Sequence, residues 1–110
     1  MQPDDHIRWL HMIEAAQDAI GFVDGRTRAD LDRDRMLLYA VVRAIEIIGE
    51  AASKLTPETR AAHDTIPWPA IIGMRNRLVH AYFDIDTDIV WVAVTREIPG
   101  LLAQLQAFNE

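Results

Sequence analysis

The chain has no cysteine, which excludes disulfides and thiolate metal sites and fits a reducing cytoplasm. It also lacks long apolar runs. The longest are broken by charge well short of the roughly 20 residues that span a bilayer, so a membrane role is not expected. The opening Met1-Gln2-Pro3-Asp4-Asp5-His6 has no basic segment leading into an apolar one, so no secretory signal is expected either. Cations are scarce: eleven against seventeen acidic residues give a net charge of −6. With a pI of about 5.1, the chain repels a phosphate backbone at long range, which excludes a general nucleic-acid coating role. Any contact with RNA has to be local.

What is present is apolar and helical in pattern. Half of the 110 residues are hydrophobic, enough for one domain that buries roughly 65% of its unfolded surface. From a cap at Asp4 or Asp5, the residues Ile7, Leu10, Ile13, Ala16, Ile20 and Val23 recur at the helical period, and Asp24-Gly25 ends the helix near Phe22. Residues 26–34 alternate in charge and read as a solvated connector with weak ion pairs. Residues 35–54 form the strongest helix, free of proline and rich in Leu, Ala, Ile and Glu.

On that helix, Leu37, Val41, Ala44, Ile48 and Leu55 share a broad apolar face, while Tyr39, Arg43, Glu46 and Glu50 fall into one narrow polar stripe. The stripe has two readings. Arg43 pairs internally with Glu46 and Glu50, or the stripe faces a second functional segment and a glutamate holds an arginine there. Two carboxylates one turn apart also suggest a metal, but no histidine stands near them.

Thr56-Pro57-Glu58 stops this helix, and Ile66-Pro67-Trp68-Pro69 leads into a third, expected over residues 69–82. Its Met74-Arg75-Asn76-Arg77-Leu78-Val79-His80-Ala81-Tyr82 is the densest concentration of reactive side chains in the chain. If that helix is continuous, Asn76 and His80 project together. Arg75 then points about 140° away, into an apolar arc with Ile71, Leu78 and Tyr82. A guanidinium and an imidazole serving one phosphate would then need a frayed helix or a second copy of the chain. Chemically, a histidine that titrates near neutrality transfers protons and an arginine stabilises charge on a phosphorane. Together they suit RNA cleavage by attack of the 2′-OH, without a metal. The plain alternatives are a hydrogen-bonded structural His80 and a packed Tyr82.

Asp84, Asp86 and Asp88 imitate a calcium loop. Ile89 and Thr95 stand where glycine and glutamate are needed, so the spacing reads instead as a cap by Asp86, Thr87 or Asp88. Residues 89–95 have strand-like propensity but no convincing partner strand. They are read as a last helix, interrupted at Pro99-Gly100 and continuing through Phe108.

The pattern of Arg75, four residues, His80, one residue and Tyr82, with Asn76 after the arginine, resembles the HEPN-domain toxins of the HepT type. So do Arg43 and Glu46 followed by Ile48-Gly49-Glu50-Ala51, then Ile66-Pro67-Trp68, Gly73-Met74-Arg75-Asn76 and Ile89-Val90-Trp91. The resemblance implies an all-α, up-and-down bundle of four to five helices, dimeric, with one HEPN-like domain over residues 1–110. It further implies a cytoplasmic, metal-independent endoribonuclease toxin with no cofactor, acting on tRNA or mRNA. Arg75, Asn76 and His80 would be catalytic, with Arg77, Arg43, Glu46 and Glu50 in support. The implied partner is a nucleotidyltransferase antitoxin of the MntA type that attaches AMP to Tyr82. The alternative is a non-catalytic helical module that binds a nucleotide or the transferase.

Overall fold

The computed structural model describes residues 1–81 and 84–108, with the backbone alone of His80 and Ala81. The expected all-α architecture is found. Two long helices form its axis, α1 (Pro3–Val23) and α3 (Arg35–Lys54). They run antiparallel, because Asp5 near the start of α1 accepts hydrogen bonds from Thr56, just past the end of α3. Between them lies the short α2 (Asp30–Arg33). After α3 come α4 (Pro57–Ala62), α5 (Trp68–Ile72) and α6 (Met74–Leu78), then a two-stranded antiparallel hairpin, β1 (Val79–Ala81) and β2 (Asp84–Ile85). The chain closes with α7 (Thr87–Val92), a π-helical stretch (Ala93–Glu97) and α8 (Ile98–Ala107). No described helix is long and apolar enough to cross a membrane.

The third element of the bundle comes from the chain's second half. Trp9 on α1 donates its indole N–H to the carbonyl of Leu105 at 2.9 Å, which lays α8 antiparallel to α1. Around this seam Trp9, Met12, Ile45, Ile48, Leu78, Val90, Ile98 and Leu105 are fully buried. Burial of such side chains, each contributing about 1.5–3 kcal/mol, is the main force holding the bundle.

Helix α3 spans residues 35–54 as its period predicts, with Leu37, Val41, Ala44, Ile48 and Leu55 all buried. Asp34 caps it by accepting from the Leu37 amide. Helix α1 buries Ile13, Ala16 and Val23 of its expected stripe and packs Ile20 against the core, but the stripe is not the whole of its inner face. Its core side also holds Trp9, Met12, Ala15 and Ala19, while Ile7 and Leu10 are exposed. The small alanines lie against α3, and two apolar residues of the expected stripe are left outside.

Asp5 is likewise no helix cap. It is 1% exposed, accepting from the Thr56 hydroxyl at 2.6 Å, the Thr59 hydroxyl at 2.6 Å and the Thr56 amide at 3.1 Å. Burial pushes its pKa up. The hydrogen bonds from Thr56 and Thr59, aided by the charge of Arg8, outweigh that and leave the carboxyl below its ordinary value.

The connector is less loose than a solvated face. Arg28 donates to Asp88 at 2.7 Å, to Asp32 at 2.8 Å and to the Thr87 hydroxyl at 2.7 Å, tying α2 to the start of α7. Asp86 caps α7 by accepting from the Ile89 amide, as the sequence allows. The last helix is interrupted one turn before the expected Pro99-Gly100, at Ala93–Glu97. Proline has no N–H to offer the preceding turn and its ring crowds the carbonyls there. The Thr95 hydroxyl also donates back to the Trp91 carbonyl at 2.6 Å, a bond that bends helices.

Candidate active site

The expected continuous helix over residues 69–82 is not what forms. It breaks at Gly73 and ends at Leu78. Gly73 adopts φ −85° and ψ 2°, the sparsely populated bridge region. A Cβ there would lie 3.2 Å from the Pro69 carbonyl. At the other end, Val79 turns extended (φ −117°, ψ 105°), and β1 pairs Val79 with Ile85 and Ala81 with Asp84. The Leu78 carbonyl accepts from the Asp86 amide at 2.7 Å. This tertiary pairing wins over the helical period.

Two conclusions drawn from a continuous helix therefore fall. His80 belongs to β1, so the angular separation of Arg75 from His80 on one helix does not apply. The side chain of His80 and the whole of Tyr82 lie outside the described residues. Nor does Arg75 sit in an apolar arc: its side chain is 53% exposed. The break at Gly73 resets the phase, burying Met74 and Leu78 and turning Arg75, Asn76 and Arg77 outward.

The exposed arginine nevertheless has a carboxylate partner. Arg75 Nε stands 3.5 Å from Glu46 Oε2, and Arg43 Nη1 stands 3.6 Å from the same oxygen. Arg43 also donates to Glu50 at 3.3 Å. Both sequence readings of the α3 stripe thus hold at once, since it pairs internally and Glu46 also reaches the motif. Glu46 is 23% exposed, a half-buried carboxylate on a rigid helix that holds two guanidinium groups at the surface.

The α3 helix can hold α6 this close because of Gly49, one turn beyond Glu46. A Cβ at Gly49 would stand 3.3 Å and 3.4 Å from the carbonyl oxygens of Ile72 and Ile71. That is tighter than most real Cβ contacts, so glycine lets the backbones of α3 and α5 meet without either giving way. Arg77 turns to the other side and is bound by both oxygens of Glu97, at 3.1 Å and 3.4 Å. Sequence reasoning missed Glu97 as its partner, and also the role of Gly49. Periodicity carries no signal for either contact, because both join elements distant in sequence.

Among the described residues no cluster of three or more His, Cys, Asp or Glu could hold a metal ion. What the arrangement does offer is two outward cations that share one carboxylate, one of them, Arg75, on the helix that runs into the strand carrying His80. Such guanidinium groups suit recognition of phosphate oxygens.

The fold and this motif define a class. The Ribonuclease HepT-like family matches residues 12–108. The chain belongs to that family, which makes it a ribonuclease by class. It is similar over most of its length to named relatives. One in Caldanaerobacter subterraneus subsp. tengcongensis, named as a candidate RNase, is 38% identical over 87% of this chain and 86% of its own. Another in Methanocaldococcus jannaschii, also named as a candidate RNase, is 34% identical over 86% and 87%. A protein of Thermococcus cleftensis, named as a probable ribonuclease HepT, is 35% identical over 89% and 93%. No solved structure matches the chain.

Proposed function

We propose that this protein is the toxin of a toxin–antitoxin pair, an endoribonuclease that cuts RNA without a metal. The observation that carries this reading is the shared carboxylate: Glu46 Oε2 holds both Arg43 and Arg75 outward, Arg75 on the helix that runs into the strand bearing His80. In this reading a ribose 2′-OH attacks the adjacent phosphate, the bond from phosphorus to the 5′-oxygen of the next nucleotide breaks, and a 2′,3′-cyclic phosphate and a 5′-OH are left. His80 transfers the proton, and Arg75 neutralises the charge that builds on the non-bridging oxygens. Asn76, exposed beside Arg75, orients the phosphate by hydrogen bonding. Arg43, Glu46 and Glu50 position Arg75, while Arg77, already bound to Glu97, braces α6 against the last helices.

The remaining parts of the reading rest on the motif and the family. All 110 residues act as one HEPN-like domain, paired as a homodimer in the cytoplasm so that two motifs serve one RNA. A nucleotidyltransferase antitoxin attaches AMP to Tyr82. A phosphate-bearing adduct close to Arg75 would compete with substrate for the same cations, which gives the modification a physical route to inhibition.

The test is direct. Purified protein incubated with total RNA or tRNA in EDTA is expected to release fragments ending in a 2′,3′-cyclic phosphate, and His80→Ala is expected not to. Cleavage that persists in His80→Ala sinks the assignment of His80. Nucleotide binding with no cleavage by the native chain would leave a non-catalytic module instead. For the partner, intact mass after co-expression with the transferase is expected to show AMP additions that disappear in Tyr82→Phe.

A further inference from the structure

On the same stripe as Arg43 and Glu46, one and two turns toward the start of α3, stand side chains that the cleavage chemistry does not use. Tyr39 is 49% exposed and Met36 is 84% exposed. Large apolar groups this open on a helix otherwise buried along its inner face call for an occupant. Tyr39 also has a cationic partner. Arg35 donates to its hydroxyl at 2.7 Å and sets its guanidinium 5.5 Å from the ring centre. That places a cation at the hydroxyl end of the ring, and no aromatic side chain is stacked on it among the described residues.

The distances along the helix suit a substrate. Tyr39 lies one turn from Arg43, and roughly 10 Å of helical rise separates it from Glu46, where Arg75 is held. Three arginines (Arg35, Arg43 and Arg75) face two glutamates (Glu46 and Glu50) on this stripe. Guanidinium groups therefore stand beside Tyr39 in a protein whose net charge is −6. An exposed aromatic ring beside guanidinium groups is how proteins hold single-stranded RNA, stacking an unpaired base while cations follow the backbone.

We infer that Tyr39, with Arg35 at its hydroxyl, is a base-stacking subsite for single-stranded RNA, seating an unpaired base next to the phosphate bound at Arg75. The inference rests on the ribonuclease reading of the motif. It assigns the enzyme a substrate class, unpaired rather than duplex RNA, and gives α3 a role in choosing where the strand lies.

The experiment uses a short single-stranded RNA whose riboses are all 2′-O-methylated, which removes the attacking hydroxyl and so separates binding from cleavage. One base is replaced by 2-aminopurine, whose fluorescence falls on stacking. Native protein is expected to bind and quench it. Tyr39→Ala and Tyr39→Leu are expected to lose roughly tenfold in affinity, and the quenching with it. Tyr39→Phe and Tyr39→Trp are expected to retain both. Tyr39→Leu keeps the apolar bulk, so it tests stacking even if Tyr39→Ala folds poorly. Unchanged affinity in Tyr39→Leu overturns the proposal, as does a native protein that does not bind the oligonucleotide. Dissociation of the assembly in sedimentation on either substitution also overturns it, since the face would then be a contact between copies. Cleavage of the unmodified oligonucleotide, run in parallel, reports on the ribonuclease reading independently.

Discussion

Two carboxylates each gather several donors in this molecule, one just past the C-terminal end of α3 and one near its middle, and they do opposite things. Asp5 is sealed in the core and bonded at 2.6 Å to two hydroxyls, all of its donors neutral and local to residues 56–59. Glu46 is half open to water and meets two arginines at 3.5 Å and 3.6 Å, distances of charge attraction rather than close hydrogen bonding. The first arrangement converts burial into stability. The second spends little on stability, because exposed pairs contribute only about 0–1 kcal/mol, and keeps its cations available. The same residue chemistry serves architecture when the donors are neutral and the site is dry, and serves recognition when the donors are charged and the site is wet.

Substitutions at the two sites should separate these roles. The largest effect is expected from Arg75→Ala, which should lower RNA cleavage by about 10²–10³-fold with a melting temperature within a few degrees of the native protein. A parallel loss of melting temperature and activity would erase the contrast with Asp5. Next, Asp5→Ala leaves the Thr56 and Thr59 hydroxyls and the Thr56 amide without their acceptor. It should cost about 2–4 kcal/mol in urea unfolding, while the activity of each folded molecule is unchanged. A smaller change is expected from Glu46→Gln, which removes the charge that holds Arg75. A roughly tenfold fall in cleavage with little change in stability is expected, and an unaltered rate would show that Arg75 is positioned without it.

The smallest effect is the pH dependence. The folded-state pKa of Asp5 lies below its ordinary value, so its stabilisation is fully present above the usual carboxylate range. It fades as pH falls through the lowered folded value. Acid unfolding followed by circular dichroism should accordingly be shallower at its low-pH end in Asp5→Asn. An identical acid limb in both proteins would remove Asp5 from the account.

The same comparison explains what the sequence discloses. Helix α3 is legible to the residue, because its apolar period and lack of proline are local signals. The Glu46 stripe is legible for the same reason, down to the alternative that it reaches the motif. Asp5 was readable only as a cap, since its real donors sit some fifty residues away. The motif's local structure was misread where tertiary pairing decides: Gly73 alone hints at the break, and the hairpin of Val79–Ala81 with Asp84–Ile85 is too short for alternation to declare itself. Helical periodicity and the family resemblance pointed to the all-α class, and the spacing of Arg75 and His80 was part of that resemblance. The partner of each cation needed the folded chain.

The glycine seam between α3 and α5 also sets how the site is spaced. Because the Gly49 backbone lies directly against the Ile71 and Ile72 carbonyls, the short helices rest on α3 as on a pivot, with Glu46 one turn to one side and Arg75 just beyond on the other arm. The distance between α5 and α3 set at Gly49 therefore also bears on how near α6 brings Arg75 to Glu46.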